Sequence, residues 1–184
     1  MLIIGITGTL GAGKGTIVDY LVKQKGFVHF SVRTFLIEEI KRRGMKIDRD
    51  SMVLVANDLR SKHSSSFIVE ELYKQAKITG RNCVIESIRA VGEVEELKKS
   101  DNFYLFAVDA DPETRYKRIA QRGSETDKVS YQTFLENEKR EMSSIDPNKQ
   151  NLTECIKMAD FVMMNNGTID DLQAQCRKIL ERII

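Results

Sequence analysis

Within the stretch GITGTLGAGKGTI, residues 5–17, Lys14 follows the spaced glycines Gly8, Gly11 and Gly13, and Thr16 offers a hydroxyl two places later. Gly8, Gly13 and Lys14 meet the phosphate-loop spacing G-x-x-x-x-G-K-[ST], but Gly15 stands where that pattern has Ser or Thr. The chemistry such a set can do is to grip a polyphosphate. Glycines remove side chains, so the backbone N–H groups of Gly8, Gly11, Ala12, Gly13, Gly15 and Thr16 can face one anion. A helix starting near Lys14 adds its partial positive charge, and the Lys14 ammonium reaches the outer phosphates. The bland alternative is a tight strand–helix turn with an exposed lysine. The glycines, the lysine and both flanking elements together favour the phosphate loop. A dinucleotide-binding G-x-G-x-x-G fails, because from Gly11 and Gly13 the third glycine would fall at Thr16.

Charged residues gather in two further places. Glu86 ends the apolar run CVIES (83–87), and Arg89 follows it in VIESIRAVGEVE. At the C-terminal end of a parallel strand both would face a ligand, although a structural Glu86–Arg89 salt bridge explains them too. DPETRYKRIAQRG carries Arg115, Arg118 and Arg122 at helical steps, so one face presents all three. Arg115 reads as a surface charge or a salt bridge. His29 and His63 have no partner visible in the sequence. Cys83, Cys155 and Cys176 are far apart and odd in number, which argues for buried thiols rather than disulfides or a zinc site.

The elements that must hold these groups alternate. Apolar runs at 2–7, 27–30, 83–87, 103–110 and 160–164 read as strands, several of them apolar on both faces, as in a covered parallel sheet. Helical stretches are expected at about 14–25, 32–43, 50–61, 66–78, 91–99, 112–122 and 131–144, and a last one from Ile169 after the cap Thr168. Asp111-Pro112 reads as a helix start, with proline at the first helical position. Strand alternating with helix predicts an α/β fold with a parallel sheet and helices on both faces. The chain, 184 residues long, fits one domain, with room for inserted pieces at about 31–80 and 123–130.

The spelling G-x-x-G-x-G-K-G-T resembles the nucleoside monophosphate kinases, above all the adenylate kinases. The segments VIESIRAVGEVE and DADPETRYKRI are similar to a small adenylate-kinase-related, dephospho-coenzyme-A-kinase-like group. The resemblance implies a three-layer P-loop kinase fold with a five-stranded parallel sheet in the order 2-3-1-4-5. It also implies an acceptor-binding insertion at about 31–80 and a short lid at about 118–130. By the same resemblance ATP and Mg²⁺ are the cofactors. Thr16 lies by the inner phosphates, and Thr16 and Glu86 serve the metal, Glu86 through water. Arg89 grips the acceptor phosphate, matching D-G-F-P-R with Glu for Asp; Ser87 and Ile88 replace Gly-Phe, and no proline precedes the arginine. Arg118 and Arg122 match the lid arginines that offset charge on the moving phosphoryl group. The acceptor segment S-T-G-D-x-x-R is only partly met by FSVRTFL; Ser31 fits as a helix cap, and either Arg33 or Arg60 can take a phosphate. The turn Asn165-Asn166-Gly167 is similar to the N-x-G turn under the donor adenine, which sets the Gly167 backbone against the base; a plain turn before a capped helix is the alternative.

The resulting expectation is an ATP-dependent phosphotransferase acting on a nucleoside monophosphate or similar small phosphorylated acceptor. Two alternatives stay open: hydroxyl phosphorylation like that of dephospho-coenzyme A kinases, and a non-catalytic ATP-binding regulatory module. The first wants an acidic D-x-D after strand two, where the chain reads HFSVRTF. A GTPase switch lacks its D-x-x-G, and NKQN at 148–151 departs from N-K-x-D in its last letter. The net charge of +2 demands no nucleic acid, and no apolar run approaches the roughly 20 residues of a membrane helix. The N-terminus reads as no signal peptide, so the expected setting is the cytoplasm, as a monomer or homodimer.

Overall fold

The computed structural model describes residues 1–123 and 129–184. In chain order the elements are β1 (Ile3–Gly8), α1 (Lys14–Lys25), β2 (Val28–Ser31), α2 (Val32–Arg42), α3 (Arg49–Lys62), α4 (Phe67–Thr79) and β3 (Cys83–Glu86). Then come α5 (Val91–Leu97), β4 (Phe103–Asp109), α6 (Pro112–Arg122), α7 (Tyr131–Met142), α8 (Leu152–Lys157), β5 (Phe161–Met164) and α9 (Ile169–Ile183). The five strands form one parallel sheet in the order β2-β3-β1-β4-β5. This is the P-loop kinase fold expected from the sequence.

β1 is the central strand, and all six of its residues are buried. Its side chains alternate between two cores. Ile3 packs with Val32, Leu36, Ile68, Ile85 and Leu105 on one face, where α2 to α5 and α8 cover the sheet. Ile4 and Ile6 pack with Ile17, Leu21, Phe106, Leu172 and Leu180 on the other, under α1 and α9. A strand covered on both faces has no polar side to show, hence the unbroken apolar run that marks it in the sequence. Gly5 is required by close approach, since a Cβ there would come within 2.6 Å of Phe103 Cζ and 2.8 Å of Ile88 Cδ1.

The register sets the site. Glu86 pairs with Ile6 on one side and Ser31 on the other, and Gly8 lies opposite Val108. Three strand ends therefore converge beside the glycine-rich loop, at the carboxyl edge where open parallel sheets bind ligands.

Helix starts follow local chemistry. Ser31 Oγ accepts from Thr34 N at 3.3 Å, and Asp48 Oδ1 accepts from Ser51 N at 2.9 Å. Thr168 and Asp171 form a reciprocal capping box. The short α8, capped by Asn151, was not among the helices expected from the sequence. Six residues are too few for a period of 3.6 to declare itself. All three cysteines are buried free thiols, and burial pushes Cys155 and Cys176 up to about 12. No helix among the described residues is long and apolar enough to cross a membrane.

Candidate functional site

The loop from Gly8 to Gly13 is held open by backbone that only glycine adopts readily. Gly8, Gly11 and Gly13 have φ of 134°, 79° and 102°. A Cβ on Gly8 would sit 2.0 Å from Val108 O, and one on Gly13 2.3 Å from Asn165 Nδ2. Gly15, in the first turn of α1, meets nothing within 4 Å. The loop is braced from β5, because Asn165 Nδ2 donates to Ala12 O at 2.8 Å and the Asn165 N–H donates to Asp109 O at 2.8 Å. Thr9 Oγ1 donates to Asp109 Oδ1 at 2.5 Å. Lys14 Nζ donates to the carbonyls of Gly8 and Thr9 at 2.8 and 2.7 Å. Desolvation, and then the charge of Arg89, lower its pKa to about 7, against the pull of Glu86 and Glu141.

This loop forms one wall of a cavity of about 550 Å³. Gly11, Gly13, Lys14, Gly15 and Thr16 line it, whereas Gly8 and Ala12 lie behind that surface. The opposite wall comes from the 31–80 region. There α3 presents Arg49, Met52, Val53, Ala56 and Arg60 at helical spacing, facing Val32, Arg33 and Leu36 of α2. Lys14, Arg33, Arg49, Arg60, Arg89, Arg118 and Arg122 all border the cavity, against two bordering carboxylates, Glu86 and Glu141. Such an excess of positive charge around an apolar slot suits polyanionic ligands with an apolar body.

Glu86 does not pair with Arg89. Its Oε1 accepts from Ser31 Oγ at 2.9 Å and lies 3.4 Å from His29 Nε2. Burial pulls its pKa up, but these contacts outweigh that and hold the carboxyl below its usual range. The strand pairing that brings His29 beside Glu86 is invisible in the local sequence. Glu86 Oε2 makes no hydrogen bond among the described residues, so the group retains an oxygen for hydrated metal. Thr16 borders the same cavity. No cluster of three or more metal-ligating side chains occurs among the described residues.

Arg89 leaves β3 through Ser87, whose φ of 69° is left-handed. That strained serine stands where the resembled kinases have glycine. The segment is clamped on three sides. Thr7 Oγ1 donates to Ile88 O at 2.8 Å, Asn151 N donates to Arg89 O at 2.8 Å, and Glu93 Oε2 accepts from Arg89 N at 2.9 Å. The Arg89 guanidinium meets Glu141 and Gln150. Arg60 is 2% exposed; its Nε and Nη2 are committed to Glu93 Oε1, and its Nη1 has no partner among the described residues. Arg33 is half-buried and forms no ion pair among the described residues.

On α6, Arg118 Nη1 donates to Asn165 O at 2.9 Å, and both Arg118 and Arg122 border the cavity. Residues 124–128 of the expected lid lie outside the described residues. Arg115 forms the salt bridge that was one of its two readings, and it is buried: it pairs with Glu138 and donates from Nε to Ala110 O at 2.7 Å. Gly167 is exposed and does not border the cavity.

The sequence reading missed Arg49, Glu141 and Gln150. Arg49 Nη2 donates to Glu141 Oε1 at 2.5 Å across 92 positions. Only the polar, capped start of α3 at Asp48-Arg49 offered a local signal, and nothing marked Glu141 among the acidic residues of its helix.

Residues 4–145 match the AAA domain family AAA_18. A UPF0200 protein of Methanococcus vannielii is 30% identical over 191 aligned positions, which cover all of this chain and 97% of that protein. Among solved structures, TT1252 from Thermus thermophilus superposes with a TM-score of 0.64 at 20% identity, covering 100% of this chain and 98% of its own. Shikimate kinase from Bacteroides thetaiotaomicron gives a TM-score of 0.59 at 12% identity over 98% of this chain and 97% of its own. At these identities the two structures are alike in fold alone.

Proposed function

The chain belongs to the AAA domain family that spans residues 4–145 and to the UPF0200 proteins, and from that premise we propose that it is an ATP-dependent phosphotransferase. Its acceptor is a nucleoside monophosphate or a similar small phosphorylated molecule. One observation carries the reading: a single cavity has the phosphate loop on one wall and, on the other, the apolar faces of α2 and α3 flanked by arginines.

In this reading the N–H groups of Gly11, Gly13, Lys14 and Gly15 and the Lys14 ammonium take the ATP phosphates. Thr16 and Glu86, the latter through water, would hold Mg²⁺ beside them, and that ion would supply charge neutralisation on the polyphosphate. Arg33 and Arg89 orient the acceptor phosphate, and Arg60 braces Arg89 through Glu93. The 31–80 insertion is the acceptor platform of a one-domain enzyme. An oxygen of the acceptor phosphate attacks the γ-phosphorus, the bond to the β–γ bridging oxygen breaks, and ADP leaves with that electron pair. Arg118 and Arg122 offset charge on the phosphoryl group in transit, so positioning and electrostatics supply the rate.

A phosphate acceptor is favoured over a hydroxyl by the state of the carboxylates. A hydroxyl must lose its proton to a base, yet of the two carboxylates bordering the cavity Glu86 is engaged by Ser31 and His29 and Glu141 by Arg49 and Arg89. An acceptor phosphate arrives as an anion and needs no such base.

The test is a coupled ADP-release assay with AMP, CMP, dCMP, UMP, GMP, dTMP and dephospho-coenzyme A. The expected result is strong stimulation by one monophosphate, lost in Arg89→Ala with ATP binding kept, while Lys14→Ala loses ATP binding itself. Equal slow release with every compound would identify an idle ATPase instead. Stimulation by dephospho-coenzyme A alone would assign the acceptor a hydroxyl.

A further inference from the structure

Glu141 is 3% exposed, yet it borders the cavity amid arginines and has no part in the transfer step. Its Oε1 accepts from Arg49 Nη2, and its Oε2 from Arg89 Nη1, which also donates to Gln150 Oε1 at 3.3 Å. Each guanidinium spends one nitrogen on the carboxylate and keeps the rest of its fork. The side chains of Arg49 and Arg89 retain 16% and 19% exposure, and Arg49 Nε is buried without a partner among the described residues. Two guanidiniums this close repel unless an anion lies between them, and Glu141 is that anion.

We propose, resting on the phosphotransfer reading above, that Arg49 joins Arg89 as a ligand of the acceptor's phosphate monoester and that Glu141 is the positioning residue holding the two guanidiniums as one cradle. Glu141 cancels one of the two charges, so the cradle keeps a net positive charge, with Lys14 and Arg33 bordering the same cavity. Without Glu141, two largely desolvated like charges would face each other, and one arginine would swing toward water. The helix carrying Glu141 is itself tied down: Glu138 pairs with Arg115, and Arg140 Nη1 donates to Asp50 Oδ1 at 3.0 Å. A fixed brace, rather than a plug that the acceptor must expel, fits that anchoring. The two roles differ in sign, because losing a brace weakens acceptor binding and losing a plug tightens it.

The experiment is calorimetry on the full chain saturated with Mg²⁺ and a non-hydrolysable ATP analogue, titrated with AMP, CMP and inorganic phosphate. At least one monophosphate binds the wild type. Glu141→Gln and Arg49→Lys each weaken it about tenfold or more, as expected for hydrogen bonds to charged groups. Affinity for the ATP analogue stays within about twofold, a split that general structural damage would not give. Arg49→Lys keeps a cation beside Glu141, so it still reports should Glu141→Gln melt early. Tighter or unchanged monophosphate binding in the folded variants overturns the cradle and leaves the phosphotransfer reading standing. A wild type that binds the ATP analogue but no monophosphate overturns the cradle together with the acceptor assignment. Failure to bind the ATP analogue overturns the donor site as well.

Discussion

At Lys14 two demands meet in one ammonium group: it must reach a polyphosphate, yet it sits among other cations in a partly desolvated wall. Burial and Arg89 bring its pKa down to about 7 from 10.5. Between those values the unfolded chain holds the proton more tightly than the folded one. Lys14 therefore costs stability at neutral pH, and that cost fades as pH rises toward 10.5. A bound polyphosphate reverses the balance, because opposite charge favours the protonated form. ATP binding is then accompanied by proton uptake. At pH 8, where ATP·Mg²⁺ is itself deprotonated, the expected uptake is a substantial part of one proton per ATP, and it shrinks as the pH falls through 7. Calorimetry in buffers of different ionisation enthalpy reads this directly. An uptake near zero at pH 8 would mean that Lys14 is already fully charged and that the loop does not desolvate it.

At the scale of elements, the β1–α1 turn contains glycines of two kinds. Gly13 has φ of 102° and would drive a Cβ against Asn165 Nδ2, while Gly15 is helical with open space in front of it. Gly13→Ala is expected to lower stability by about 2 kcal/mol or more, through backbone strain and a displaced Asn165. Gly15→Ala is expected to leave stability unchanged or raise it by a few tenths of a kcal/mol. Thermal melts of the two variants should separate clearly; similar melting points would mean that the loop does not impose its geometry. The strands, the loop and its lysine were legible because each is contiguous: the covered strands are unbroken apolar runs, and the loop and its lysine fall within thirteen consecutive letters. The partners of Glu86 were not legible, since His29 and Ser31 reach it only through the β2–β3 register. For Arg115 a surface charge and a salt bridge both stayed open, because helical spacing fixes a face but not what packs on it; here α7 brings Glu138 onto it. The same holds for Arg49 and Glu141, which meet across 92 positions.

Across the whole molecule, α7 is attached differently from its neighbours. The sheet and α1, α2, α4 and α9 share two apolar cores, whereas α7 buries only Phe134 and Glu141. Beside the contacts of Tyr131 and Phe134 with Tyr116 of α6, its ties are ionic and reach three elements: Glu138 to Arg115 on α6, Arg140 to Asp50 on α3, and Glu141 to Arg49 on α3 and Arg89 after β3. Burial pulls the Glu141 pKa up, but the charges of Arg89 and Arg49 win and hold it below the ordinary glutamate value. A carboxyl depressed in the folded state adds stability above its unfolded pKa and loses that contribution as pH falls through its folded one. α7 should therefore come loose in acid before the sheet does. Hydrogen exchange followed from pH 7 to below pH 4 is expected to show residues 131–142 losing protection while β1 and β4 keep theirs. Glu141→Gln should show weaker α7 protection already at pH 7 and a shallower fall on acidification, because its amide cannot titrate. Simultaneous loss of protection in α7 and β1 would show instead that apolar packing, not charge, fastens this helix over the cavity.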